Sequence, residues 1–234
     1  PAFKVNWLKV LPIALYSVLY SDCIAKFYYA SVVREKETGA SAKLRDKYLG
    51  LASEAILRRS TRRLTVLLQA AADDFNGVCM DCDTPKVGIV GEIFLKFNPF
   101  AQKNAIDWLI ERGIEVVPPI LTDFFMQSFV NRKVDVKSYL KDKQPSDYAF
   151  DWGYKLVKKQ VDKINAIAGR FRYFAPFNDI FEEAAGAKNI ISLSAQFGEG
   201  WLLPAEVVSY ARQGVNNVIS LQPFGCIANH IVAK

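Results

Sequence analysis

The sequence predicts an α/β protein, a largely parallel sheet flanked by helices, with an N-terminal helical subdomain. Three observations lead there. Over the first ~78 residues apolar side chains recur every three or four positions, the period of a helix face. From Pro85 onward, short apolar runs bounded by turn residues alternate with helical patterns, the mark of a parallel sheet. The first such unit takes about 33 residues from strand to strand, the size of one crossover. The predicted division is a helical subdomain over residues 1–84 and an α/β subdomain over residues 85–234.

In the helical part, Leu8, Leu11, Leu15, Leu19, Cys23, Phe27 and Ala30 form one stripe on a long helix. The run Glu35 to Gly39 breaks it. Leu44, Tyr48, Leu51 and Ala55 make a second stripe. Leu64, Leu67, Ala71 and Phe75 make a third, with Asn76-Gly77 as its stop. Lys86 to Gly91 is the first strand. Asn98-Pro99 then suits a helix start, Asn as cap and Pro at the first helical position. Ala105, Trp108 and Leu109 give that helix a buried side, and Gly113 ends it. Ile114 to Val117 is the next strand, closed by Pro118-Pro119.

The pattern predicts helices over Thr122 to Val130, Trp152 to Ile167 (Leu156, Ile164 and Ile167 inward) and Asn178 to Ala185. The charged run Arg132 to Ser146 lies between the first two, exposed. A second crossover follows. Asn189 to Leu193 reads as a strand, Trp201 to Arg212 as a helix, Asn217 to Leu221 as a strand, and Ile227 to Lys234 as a helix. Ligands on parallel sheets gather at the carboxyl ends of the strands. That rule singles out three loops, Glu92 to Phe100, Gln196 to Trp201 and Gln222 to Cys226.

An apolar share of 51% excludes a disordered chain, and four Cys in 234 residues exclude a disulfide scaffold. The longest apolar stretch, Val10 to Tyr20, is about half of what a membrane span needs, and Tyr20 to Cys23 offers no signal-peptide cleavage site. The expectation is a cytoplasmic protein without a membrane partner. Pro1 in place of Met, and Lys234 inside a predicted helix, read as the ends of an internal fragment.

The net charge of +6 is uneven. Residues 1–72 hold twelve Lys or Arg against five Asp or Glu. Arg58, Arg59, Arg62 and Arg63 are the densest point, paired one turn apart at helical spacing, with Glu54 one turn before Arg58. A solvated helix face explains them. No interleaved aromatic or nucleic-acid motif accompanies them, so nucleic acid ranks last among partners.

Glycine-rich dinucleotide and phosphate loops and a nucleophile elbow are absent. His230 is the single histidine, which excludes multi-histidine metal centres within the chain. Cys79 and Cys82 form a lone Cys-x-x-Cys without a second pair or a following helix, and no function is assigned to it. Cys23 sits on an apolar stripe as a core cysteine. Cys226 differs, because it follows a strand and a Pro-Phe-Gly turn and opens a helix. A thiol there meets free backbone N–H groups, which favour the thiolate that binds metal. A buried structural cysteine is the alternative. His230, one turn on, is either a second ligand or a hydrogen-bonded structural residue.

Two blocks, Phe197 to Glu206 and Leu221 to His230, resemble the large proteins related to the 2-hydroxyacyl-CoA dehydratases and their activases. Gly91-Glu92-Ile93-Phe94 and Phe97 to Phe100 fit the same family. The resemblance covers residues 76–234 well and the helical part loosely. It implies a dehydratase-like region that binds a [4Fe–4S] cluster through cysteine thiolates. It also implies an activase-like ATPase part that drives one electron into the cluster, for dehydration of an acyl-CoA, a lyase reaction, or for a reduction. Cys226 fits the family's downstream cysteine and is the implied metal ligand. The other ligands would lie upstream of Pro1, so the fragment alone should be inactive and carry no cluster. Glu199 and Gln222 are the implied cofactor-side residues, with capping and loop shaping as the alternative; Glu92 stands in the same position, and Asn98 reads as a cap. The resemblance makes the ATPase part and an acyl-CoA the expected partners. The alternative is a non-catalytic docking domain for the ATPase or another subunit, with the basic helices as its contact face.

Overall fold

The computed structural model describes residues 6–232 and is an α/β protein. In chain order it contains α1 (Trp7–Ser31), α2 (Ala40–Leu57), α3 (Thr61–Val78), β1 (Lys86–Gly91), α4 (Ile93–Phe97), α5 (Ala105–Ile110), β2 (Glu115–Val117), α6 (Leu121–Lys137), α7 (Ser146–Ala168), α8 (Ile180–Ala187), α9 (Leu202–Arg212), β3 (Val218–Leu221) and α10 (Ile227–Val232). The chain divides into two compact units. One comprises Pro1–Asp83 with Lys159–Phe177, the other Thr84–Lys158 with Asn178–Lys234. The helical unit therefore takes in the second half of α7 and the segment after it, which no single cut in the sequence would assign to it.

In the helical unit the three stripes face one another. Leu19, Cys23 and Phe27 on α1, Ala55 on α2 and Leu68, Ala71 and Phe75 on α3 are all fully buried. Phe27 lies 5.7 Å from Phe75 and 5.0 Å from Phe171, ring centre to ring centre, in the tilted and edge-on geometries that aromatic quadrupoles prefer. The stripe on α1 is buried from Leu19 onward; Leu11 is exposed, and the side chain of Leu8 lies outside the described residues. The break at Glu35 to Gly39 has a chemical basis: Gly39 takes φ +85°, and the Glu35 carboxylate accepts from Gly39 N (2.6 Å) and Ser41 N (2.9 Å) to cap α2. Ser60 caps α3 by accepting from Arg63 N at 3.2 Å. Gly77 does not stop α3, which runs on to Val78.

Lys9–Ser31 is long and apolar enough to cross a membrane by length and composition, with mean hydropathy 1.4. It exceeds the short apolar stretch expected from the sequence because the apolar run continues past Asp22 and Lys26. Half of its most apolar window is buried within the protein, the pattern of a core helix.

In the α/β unit the three strands are parallel in the order β2-β1-β3. Lys86 pairs with Glu115 and Val87 with Val116 on one side of β1; Ile89 pairs with Ile219 and Gly91 with Leu221 on the other. Helix α9 lies against β1 so closely that a Cβ on Gly88 would stand 2.4 Å from the Tyr210 ring. Val90, Val117, Leu203, Tyr210 and Val215 form one core cluster. Met126, Val130, Ile180, Ala184, Trp201 and Leu202 belong to a second cluster between helices. Trp201 is fully buried and donates from Nε1 to Asn131 Oδ1 at 2.7 Å.

Several local expectations are corrected. Asn189 to Leu193 is not a strand. Ile190 N and Ile191 N donate to Ala187 O (2.8 and 3.0 Å), so the segment closes α8, and Ile191 and Leu193 cover the second core cluster. No long helix starts at Asn98-Pro99. Asn98 does cap, accepting from Ala101 N at 3.1 Å, but only a turn. Lys103 and Asn104 then adopt φ +55° and +54°, two successive left-handed residues that no helix tolerates. Trp108 is half-exposed under the Arg112 guanidinium, 3.8 Å from its ring, and Leu156 is exposed as well. Helix α6 continues through the charged run to Lys137. The expected helix from Ile227 is described to Val232, and its last two residues lie outside the described part.

Candidate functional site

β1 leads through α4 and α5 to β2 on one side, and β3 pairs on the other, so the order β2-β1-β3 makes a topological switch between the carboxyl ends of β1 and β3. The two strands end side by side there. Gly91 has φ +124°, and a Cβ on it would meet Leu221 O at 2.0 Å, so only glycine allows this approach. Glu92 N donates to Leu221 O at 2.9 Å. The loops Glu92 to Phe100 and Gln222 to Cys226 therefore leave the sheet from adjacent points. The Gln196 to Trp201 loop precedes α9, which packs on β1 and returns the chain to the start of β3.

Each residue singled out from the sequence has a definite place. Glu92 caps α4, its Oε2 accepting from Leu95 N at 3.0 Å. Gln222 is half-buried and donates from Nε2 to Ser220 Oγ at 3.0 Å. Cys226 is a free, half-buried thiol immediately before α10, a helix of six residues. His230 is exposed, and its Nδ1 lies 2.9 Å from the backbone oxygen of Cys226. That ring nitrogen is thus engaged with a carbonyl. Glu199 is 5% exposed, makes no cap on α9, and its Oε1 has no hydrogen-bond partner among the described residues.

Cys79 and Cys82 lie in a pinned loop of the helical unit. Arg172 donates to Cys79 O (3.0 Å), Tyr173 to Met80 O (3.0 Å) and Arg34 to Cys82 O (2.9 Å). Burial pushes the Cys79 thiol up to about 11, so it stays protonated and inert at neutral pH. Arg58 and Arg59 occupy the turn between α2 and α3, so the four arginines do not share one helix. Arg58 pairs with Glu54 at 2.7 Å, and Arg59 takes φ +53°.

The structure adds residues that sequence reasoning passed over. Lys96 on α4 and Glu206 on α9 are both about 95% buried, and Lys96 Nζ lies 3.3 and 3.5 Å from the two Glu206 oxygens. Burial pushes the Glu206 carboxyl up to about 7. The Lys96 ammonium opposes that rise, and the charges of Glu183 and Glu199 add to it. Tyr210 is held well above the usual phenol range by burial, then by Glu206, Asp123 and Glu183. Carboxylates thus outnumber the ammonium around α9. A carboxyl that changes protonation near neutral pH in a dry setting can give or take a proton. The only sequence signal was a lysine inside the apolar run Ile93 to Phe97, where a solvated residue would be out of place.

A [4Fe–4S] cluster needs three or four thiolates. Among the described residues no group of three or more His, Cys, Asp or Glu side chains is placed to hold a metal ion. Cys226 is the one cysteine on these strand-end loops, so the residues there do not fit a cubane by themselves. No family model, curated protein or solved structure matches the chain.

Proposed function

We propose that the chain is a fragment of an iron–sulfur protein related to the 2-hydroxyacyl-CoA dehydratases and their activases. In this reading Cys226 gives one thiolate to a [4Fe–4S] cluster whose other ligands lie outside the fragment. The observation that supports it most is the position of Cys226, a free, half-buried thiol on the loop after β3, at the switch between β1 and β3. Gln222 on the same loop and Glu199 before α9 are the cofactor-side residues of the reading. The parent, a cytoplasmic protein, would use ATP-driven electron transfer for dehydration or reduction of an acyl-CoA.

The test is iron and sulfide content, with the electron paramagnetic resonance spectrum, of the anaerobically purified parent and its Cys226→Ser variant. Loss of the cluster, or a shifted spectrum, in the variant is expected. The same cluster in both would make Cys226 structural and remove the reading's main support.

A second reading, a docking domain for the ATPase part or another subunit, is favoured by one feature. Leu57 is 84% exposed beside the exposed Arg58, Arg59, Arg62 and Arg63. Charge reversal at these four arginines should abolish partner binding and leave the cluster intact; unchanged binding would discard this reading.

A further inference from the structure

The end of α6 and the start of α7 flank an open cleft of about 260 Å³ beside the turn formed by residues 138–145. Arg132, Lys133 and Lys137 line it from α6, Lys143 from the turn, and Asp147 and Asp151 from α7. Both carboxylates are already engaged. Asp147 takes Arg132 through both oxygens, with Nη2 to Oδ2 at 2.9 Å, and Asp151 pairs with Lys133 at 3.1 Å. The Arg132 guanidinium beside Asp147 is the main reason that its carboxyl lies below the usual range, with the Gln144 backbone N–H and the charge of Lys143 helping. Lys137 and Lys143 have no ion-pair partner within 4 Å among the described residues, and the lining, four cations against two carboxylates, carries a net positive charge.

The rest of the lining is not polar. Val136 and Phe150 line the cleft, and the Phe150 ring, packed 4.7 Å from the Phe129 ring, is 37% exposed. Surplus positive charge excludes a metal cation. An apolar floor with an exposed ring is wasted on a bare inorganic anion, and about 260 Å³ is larger than such an anion needs. A ligand with a flat ring at one end and two negative charges at the other satisfies both halves. Lysine is a point-charge binder of phosphate, and aromatic faces stack on a base.

We propose that the cleft between α6 and α7 binds a nucleoside phosphate, with its phosphate oxygens on Lys137 and Lys143 and its base against Val136 and Phe150. The proposal does not rest on the iron–sulfur reading, because it involves neither Cys226 nor the sheet end.

The test is calorimetric titration of the protein with ADP, and separately with pyrophosphate and with adenosine. The same titrations use the Lys137→Met/Lys143→Met variant and, as a control, Lys188→Met. Circular dichroism confirms that each variant is folded; the replaced lysines are exposed. The expected result is saturable ADP binding that tightens at low salt, weakens about tenfold or more in the double variant, and is unchanged in Lys188→Met. Pyrophosphate and adenosine should each bind more weakly than ADP. No saturation with millimolar ADP, or equal affinity in the wild type and the double variant, would overturn the site. Pyrophosphate binding as tightly as ADP would overturn the nucleoside assignment.

Discussion

Arg34 in the helical unit and Glu206 in the α/β unit are both almost wholly buried, yet their surroundings differ in kind. Arg34 donates to Ala30 O (2.6 Å) and Cys82 O (2.9 Å) and stacks 4.2 Å from the centre of the Tyr173 ring. Lys26, in the same unit, donates to Ala175 O at 2.9 Å beside the Phe177 ring. Backbone carbonyls and aromatic faces are thus among the groups that meet the buried cations there. Glu206 is met by one ammonium and by other carboxylates. Mutually repelling carboxylates in a dry site work against stability, and such arrangements concentrate where protons or ligands are handled. The α/β unit keeps an electrostatic conflict at the end of its sheet.

The largest expected effect tests the first half of that contrast. Phe27→Ala removes a ring wedged among Phe75, Phe171 and Phe174 and should cost about 3–5 kcal/mol in urea unfolding. The loss should be the same at pH 5 and pH 8, since no ionisable group gains or loses its partner. A loss below about 1 kcal/mol would mean that the helical core is not close-packed.

The next effect lies in the α/β unit and depends on pH. Glu206 has a folded value of about 7 against an ordinary 4.5. Its proton therefore favours the fold. That contribution is complete below about pH 4.5 and is lost as pH rises to about 7. Glu206→Gln cannot lose a proton. Its stability relative to the wild type should therefore rise by on the order of 3 kcal/mol between pH 4.5 and pH 8. A flat difference across that window would show that the carboxyl is not in conflict with its surroundings.

The smallest effect sharpens the contrast without changing stability. Cys82 and Cys226, both half-buried, should take up a maleimide in the native protein, whereas the buried Cys23 and Cys79 should react only after unfolding. Burial holds the Cys23 thiol well above its usual range and Cys79 at about 11, which reinforces their inertness. Native labelling of Cys23 would mean that the helical unit opens readily.

Much of the architecture was legible in the sequence, and the reasons are local. The helical stripes, the strands at Lys86 to Gly91 and Asn217 to Leu221, and the break at Gly39 follow from periodicity and turn chemistry. The errors share a cause. Asn189 to Leu193 carries the letters of a strand, but Ile190 N and Ile191 N bond back to Ala187 O and Ile191 and Leu193 pack on helices instead. Trp108 and Leu156 sit at positions of a helical pattern that, in the folded chain, face outward.

The candidate site divides in the same way. Gly91, Gln222 and Cys226 were found because strand ends and the turns after them are written in consecutive residues. Lys96 and Glu206 stand 110 residues apart in the chain, and nothing local to either announces the other. Residue order alone determined which segments become helix or strand and which loops follow the strands, because hydrogen bonding and side-chain period act over a few residues. Only the tertiary structure decided which charges lose their water and which neighbours they then face, because desolvation and Coulomb energy depend on distance in space.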